Sequence, residues 1–192
     1  MGQLSYIMDH SNPAEPAGPG PAAVCLRPER LGDEPFLLEL YASTRQEELA
    51  LTGWDEPARH AFLDMQFAAM RSGYAAHYPQ AEFSIIALGR CPIGRIVIDQ
   101  AAKEIRVVDI ALLPAYRNQG VGTVLMRQVC AQAAGVGKPV RLSVLKNSRA
   151  VRWYERLGFA RTDGDGLYEQ MQWRGEHRSS SGSTAGHLPP GG

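Results

Sequence analysis

The stretch PAYRNQGVG, Pro114 to Gly122, stands where an alternating apolar run gives way to a helical one. It restricts the fold more than any other feature. A strand must lead into it, a helix must lead out of it, and the junction itself carries little bulk. Gly120 and Gly122 let another molecule's oxygens approach the main chain. A helix beginning there adds N–H groups without intrahelical partners and the positive end of its dipole. Together these features describe an anion site, best suited to a phosphate.

The elements around the junction are read from periodicity and breakers. AVCLR (23–27) reads as a first strand, EPFLLELYASTR (34–45) as a helix, and 56–78 as a longer helix entered near Pro57. EFSIIAL (82–88) and IGRIVIDQ (93–100), separated by Gly89 and Pro92, read as a hairpin, and EIRVVDIAL (104–112) as the next strand. From Val121 the period changes: Val121, Val124, Leu125, Gln128, Val129 and Gln132 fall on one helical stripe, which Gly135 and Gly137 end. VRLSV (140–144) is a short strand, SRAVRWYERL (148–157) a helix, and Gly158 its C-cap. Two closing strands, 159–161 and 167–173, flank the turn cluster Asp163-Gly164-Asp165-Gly166. A run of strands, then strands alternating with helices, gives a mixed sheet covered on both faces, an α/β or α+β domain.

Composition limits the function. The 192 residues suffice for one domain of ordinary size. SNPAEPAGPGPAA (11–23) and the Gly/Ser/Pro tail hold too little apolar surface to offset ordering, so disorder is expected over 1–22 and 175–192, around a domain at 23–174. Lys plus Arg and Asp plus Glu number 20 each, so no overall basic field points to nucleic acid. The N-terminus lacks the charged and apolar regions of a secretory signal, and no apolar run approaches the roughly 20 residues that span a bilayer. Cys25, Cys91 and Cys130 are odd in number and widely spaced, neither a disulfide framework nor a metal-ligand pattern. A soluble, cytoplasmic protein without a metal is the expectation.

Arg117-Asn118-Gln119-Gly120-Val121-Gly122 fits R/Q-x-x-G-x-G/A, and Asn147, Ala150, Tyr154 and Gly158-Phe159 come after it with the spacing N-x2-A-x3-Y-x3-GF. That second spacing is read as placing Asn147, Ala150 and Tyr154 along one helix face. A P-loop is excluded because no Lys comes after Gly122, and a dinucleotide fingerprint because GVGTVL ends in Leu125 rather than Gly. The two motifs in this order resemble the Gcn5-related N-acetyltransferase (GNAT) superfamily, most strongly over 82–173. The resemblance implies a mostly antiparallel central sheet, acetyl-coenzyme A as co-substrate, and an amine as acceptor. A homodimer is compatible with it.

By the same resemblance, backbone groups of Gln119, Gly120, Val121, Gly122 and Thr123, beside Asn118 and with charge from Arg117, receive the coenzyme pyrophosphate. The strand before the loop splays from its neighbour and offers Ala111, Leu112 and Leu113 to the pantetheine arm, an N–H near Leu112 polarising the thioester carbonyl. Asn147 hydrogen-bonds the pantetheine, and Tyr154 protonates the departing thiolate.

The proton acceptor is less directly marked. An amine with a reference pKa of about 10.4 is almost wholly protonated at pH 7, and its neutral form costs roughly 4.6 kcal/mol. Asp109, late on the central strand, is the first candidate base, with Glu104 behind it; an ion pair with an arginine such as Arg106 is the structural alternative. On the second helix Phe62, Met65 and Ala69 read as core, whereas Phe67, Met70 and Tyr74 line a pocket or pack beneath the loop. Arg45, Glu48 and Trp54 lie in a segment able to cover the acceptor site, where acidic groups receive a cation and Arg45 a carboxylate, although plain surface charge explains them equally well. His60 and His77 read as helix-surface residues. Three functions remain open: an N-acetyltransferase acting on a small molecule or amino acid by direct transfer, one acting on a protein or peptide, and a non-catalytic acyl-coenzyme A-binding module.

Overall fold

The computed structural model describes residues 24–162, 164 and 166–175. The expected disordered ends lie outside those residues, apart from Gly175, as do Asp163 and Asp165 of the turn cluster.

Within the described residues, strands and α-helices come in the order read from the sequence: β1 (Val24–Pro28), α1 (Glu34–Ala50), α2 (Glu56–His77), β2 (Glu82–Leu88), β3 (Cys91–Asp99), β4 (Ile105–Leu112), α3 (Val121–Gly135), β5 (Val140–Leu145), α4 (Arg149–Arg156), β6 (Ala160–Thr162) and β7 (Tyr168–Trp173). They build one seven-stranded sheet in the order β1-β2-β3-β4-β5-β7-β6, antiparallel except where β5 joins β4.

Two cores divide the helices between the faces. α3 and α4 pack on one side against Ile96, Ile98, Ile105, Val107 and Leu142. Leu37 and Tyr41 of α1 and Leu63 and Phe67 of α2 pack on the other against Ile85.

Three boundary and face assignments change. α1 continues from Arg45 to Ala50, because Gln46, Glu47 and Glu48 favour helix and Leu49 is buried in the α1–α2 core. On α2 the inward set is Leu63 and Phe67, with Phe62 and Met70 partly buried, whereas Met65 is 58% exposed and Ala69 also faces out. On α3 the buried residues are Leu125, Met126, Val129, Cys130 and Ala133, so the stripe is rotated and Val124, Gln128 and Gln132 face outward. Turning Met126 and Cys130 inward removes more apolar surface from water than burying glutamines would.

The site is prepared by a defect in the sheet. β4 and β5 pair only at Ile105–Val107 against Val140–Leu142, and beyond that the strands part. Just past the split β4 carries a bulge: Val107 faces Ile98 and Asp109 faces Val97, leaving Val108 as the extra residue. Farther along, opposite Leu112, Gly94 is required, since a Cβ there would run into the Ala111 carbonyl oxygen.

Candidate active site

A cavity of about 660 Å³ opens at the parting of β4 and β5. Its walls are the end of β4 (Ile110, Ala111, Leu112), the loop and first turn of α3 (Arg117, Asn118, Gly120, Gly122, Thr123), α4 (Ala150, Trp153, Tyr154, Arg156), and Thr44 of α1.

The loop is shaped for an anion by its backbone. Asn118 (φ +59°) and Gly120 (φ +84°) both take the left-handed conformation. The Gln119 side chain donates to the Ala115 carbonyl at 2.5 Å and holds the turn. Val124 is the first residue of α3 whose N–H reaches a carbonyl one turn back, that of Gly120 at 3.0 Å. The N–H groups of Val121, Gly122 and Thr123 therefore have no acceptor among the described residues and lie at the positive end of the dipole. Trp153 seals this turn from the α4 side. Its Nε1 donates to Thr123 Oγ1 at 3.1 Å, and its ring packs so closely that a Cβ on Gly122 would come within 3.2 Å.

Arg117, which lines the cavity, also braces the loop. Its Nε donates to the Leu112 carbonyl at 2.8 Å and its Nη2 to Ser43 Oγ at 3.3 Å, tying the loop to β4 and α1.

On β4 the alternation of an antiparallel pair selects which backbone groups are open. Leu113 N–H bonds Ile93 O at 2.9 Å, so Leu113 and Ala111 direct their groups toward β3, while Leu112 and Ile110 direct theirs into the gap. The expectation for Leu112 agrees with this geometry. Those for Ala111 and Leu113 do not, and Ile110 takes their place.

Tyr154 lies on α4, which Ser148 caps by accepting from Ala150 N–H at 3.1 Å. Gly158, with φ +89°, reverses the chain so that Phe159 N–H bonds Tyr154 O and the Phe159 ring packs 5.6 Å from that of Tyr154. This is the structural reason for the Tyr-x3-Gly-Phe spacing. Tyr154 is 7% exposed, and burial first, with the Asp109 charge second, holds its phenol well above the usual range, so it keeps its proton at neutral pH. Ala150 and Tyr154 share the cavity wall, but Asn147 sits exposed in the turn before the cap and does not line it.

Asp109 lies in the split half of β4, on the face toward α2. Arg95 of β3, only 4% exposed, donates to Asp109 Oδ2 from Nε at 3.0 Å and from Nη2 at 2.5 Å. Arg95 also packs under Met70 (Nη2 to Sδ 3.6 Å) and the Tyr74 ring (5.8 Å). Asp109 Oδ1 receives no hydrogen bond from the described residues, and the side chain stays 23% exposed. The arginine paired with Asp109 is thus Arg95, whereas Arg106, named as an example of such a partner, donates to Glu104 at 3.0 Å. Burial pushes the Tyr74 phenol up to about 12, with the Asp109 charge adding to the effect. Asp109 is thus electrostatically coupled to a tyrosine from each side of the sheet.

The expected acceptor-binding residues are not gathered here. Phe67 is 4% exposed within the α1–α2 core, 5.8 Å from the Tyr41 ring, so it packs rather than binds. Arg45 and Glu48 pair with each other at 3.2 Å on α1, which leaves no covering loop at these positions. Trp54 packs edge-on against Phe62 at 5.1 Å. None of the four lines the cavity. His60 and Arg59 border a separate space of about 520 Å³ between α1 and α2. Sequence reasoning missed Arg95 as a site residue, although an arginine inside IGRIVID, a run otherwise fit for burial on both faces, was its signal.

Among the described residues no cluster of His, Cys, Asp or Glu could hold a metal ion, and no helix is long and apolar enough to cross a membrane.

Comparison with known proteins agrees with this geometry. The sequence profile of the acetyltransferase (GNAT) family matches residues 37–159. An uncharacterized N-acetyltransferase of Schizosaccharomyces pombe is 33% identical over 57 residues, which are 29% of this chain and only 40% of that relative's length. The fold is shared with the PaiA N-acetyltransferase of Thermoplasma acidophilum, solved with coenzyme A (TM-score 0.61, 18% identity, 79% of this chain and 99% of that one). It is shared as well with the spermidine N-acetyltransferase of Vibrio cholerae, solved with coenzyme A and spermine (TM-score 0.54, 16% identity, 79% and 95%). The chain belongs to the acetyltransferase (GNAT) family, whose co-substrate is acetyl-coenzyme A.

Proposed function

We propose that this protein transfers the acetyl group of acetyl-coenzyme A directly to a primary amine of a small molecule or amino acid. The observation that carries the reading is one cavity in which three things converge: the N–H groups opening α3, the edge of β4 that β5 has left, and the Tyr154 phenol.

Each part has a chemical task. The N–H groups of Gln119 to Thr123 bind the coenzyme pyrophosphate, and Gly120 leaves that approach clear. Leu112 N–H, directed into the gap, stabilises negative charge developing on the carbonyl oxygen. Tyr154, buried and protonated, gives its proton to the departing sulfur. Asp109 Oδ1, held outward by Arg95, attracts the acceptor ammonium and takes its proton, directly or through water.

None of the lining residues is a cysteine, and Cys130, pushed up to about 11 by burial, lies on the buried face of α3. Direct transfer therefore fits better than an acetylated enzyme. A cytoplasmic location and residues 23–174 as the working domain belong to the same proposal. Thiol release from acetyl-coenzyme A, monitored across a panel of primary amines and short peptides, tests it. Small amines should accelerate release; acceleration by peptides alone would move the acceptor class to proteins.

A further inference from the structure

The cavity holds two guanidinium groups, and only one of them is committed to the protein. Arg117 is held in place by Nε on Leu112 O and Nη2 on Ser43, which fix its position beside the α3 turn. Arg156, in the last turn of α4, lines the same cavity from the opposite wall, is exposed, and forms no ion pair with the described residues. The neighbouring Glu155 is already engaged by Arg161 at 2.8 Å.

Coenzyme A presents three phosphates to such a cavity. Two form the pyrophosphate, which the opening turn of α3 can hold through backbone N–H groups alone. The third is a monoester on the ribose 3′ oxygen, several bonds beyond. It needs a donor of its own, because the N–H groups at one helix end serve only an oxygen cluster directly against them. A guanidinium suits a phosphate monoester through paired N–H donors and a full charge.

We infer that Arg156 recognises the ribose 3′-phosphate and is the residue by which this protein distinguishes coenzyme A from its 3′-dephospho form. The inference rests on the reading of this cavity as the coenzyme site. It also explains why Tyr154 and Arg156 share so short a helix: α4 presents the buried phenol to the reacting end and a charge at the rim.

The contrary possibility is that Arg156 merely offsets the negative end of α4. Calorimetric titration of the full chain with coenzyme A and with 3′-dephospho-coenzyme A separates the two. Wild type should bind coenzyme A about tenfold more tightly, the scale of one hydrogen-bonded contact to a charged group. Arg156→Gln should lose that preference by weakening coenzyme A alone, and Arg156→Lys should keep part of it. Arg152→Gln, one turn away and outside the cavity lining, should leave the preference intact. The preference of wild type should also narrow at high salt, as expected of an exposed charge pair.

A preference unchanged in Arg156→Gln, equal weakening of both ligands, or no preference in wild type would each overturn the assignment. Failure of wild type to bind either ligand would instead remove the coenzyme site itself, and this inference with it.

Discussion

Arg95 and Asp109 meet across β3 and β4 with Nε and Nη2 of the guanidinium on one carboxylate oxygen, and the other oxygen receives no hydrogen bond from the described residues. Taking two charges out of water adds little net stability, but removing one partner leaves the other uncompensated. The ion pair and the proposed role as base respond differently to substitution of Asp109. Asp109→Asn should lower the melting temperature, corresponding to about 3 kcal/mol. It should also lower kcat/KM at neutral pH, with the rate partly recovered as pH rises and more acceptor is already neutral. Arg95→Met should share the stability loss. A melting change with an unaltered pH–rate profile would leave Asp109 as an ion pair only.

Tyr154 combines burial with a hydroxyl that no described residue hydrogen-bonds, so packing and the proposed proton transfer separate in a single variant. Tyr154→Phe keeps the ring contacts with Trp153 and Phe159 and removes only the hydroxyl. Coenzyme affinity and folding should persist while kcat falls about 10²-fold. Because burial raises the folded-state pKa, the favourable contribution of the neutral phenol is complete below about pH 10 and is lost as pH rises. Urea unfolding measured from pH 8 to 11 should therefore show a shallower alkaline decline in the Phe variant. Equal declines and normal turnover would reduce Tyr154 to a packing residue.

Gly120 is constrained by backbone angle rather than by space. A Cβ there meets nothing within 4 Å, but φ is +84°. Gly120→Val should cost about 1–2 kcal/mol of loop strain and leave the core folded. Coenzyme A affinity, measured by calorimetry, should fall at least tenfold as the loop relaxes to negative φ. Unchanged affinity would mean that the loop does not hold the pyrophosphate.

Acid stability should depend on a contact far from the cavity. Asp33 accepts from Arg27 at 2.6 and 2.7 Å and from Arg30 N–H at 2.8 Å, tying β1 to the start of α1. The Arg27 hydrogen bonds, with the Arg30 N–H, hold its carboxyl down at about 2. The resulting stability is complete above the unfolded value of roughly 4 and disappears as pH falls toward 2. The difference in melting temperature between wild type and Asp33→Asn should be largest near pH 6 and close to zero at pH 2. A constant difference would show that the carboxylate charge is not responsible.

Much of this was legible in the sequence because the signals were local. Period, caps and breakers located each α-helix and strand among the described residues, and the two motifs marked the loop and Tyr154. The features that escaped depended on register. The bulge at Val108 determines that Asp109 shares a face with Arg95, and a one-residue slip would have turned it to the other side. The open groups on β4 likewise depend on which residues bond to β3, which fixes Leu112 and Ile110 rather than Ala111 and Leu113. The α1–α2 segment misled because charge was read as loop, whereas Glu47 and Glu48 continue a helix that Leu49 anchors.

The central claim is direct acetyl transfer in the cavity between β4 and β5. Its most direct measurement tracks coenzyme A release, the acetylated amine and the intact protein mass together, in wild type and in Tyr154→Phe. Direct transfer predicts amine-dependent release, one acetylated amine per coenzyme A freed, no acetylated protein before amine is added, and a large loss of rate in the variant. Coenzyme A binding without amine-dependent release, or acetylated protein formed ahead of product, would contradict it.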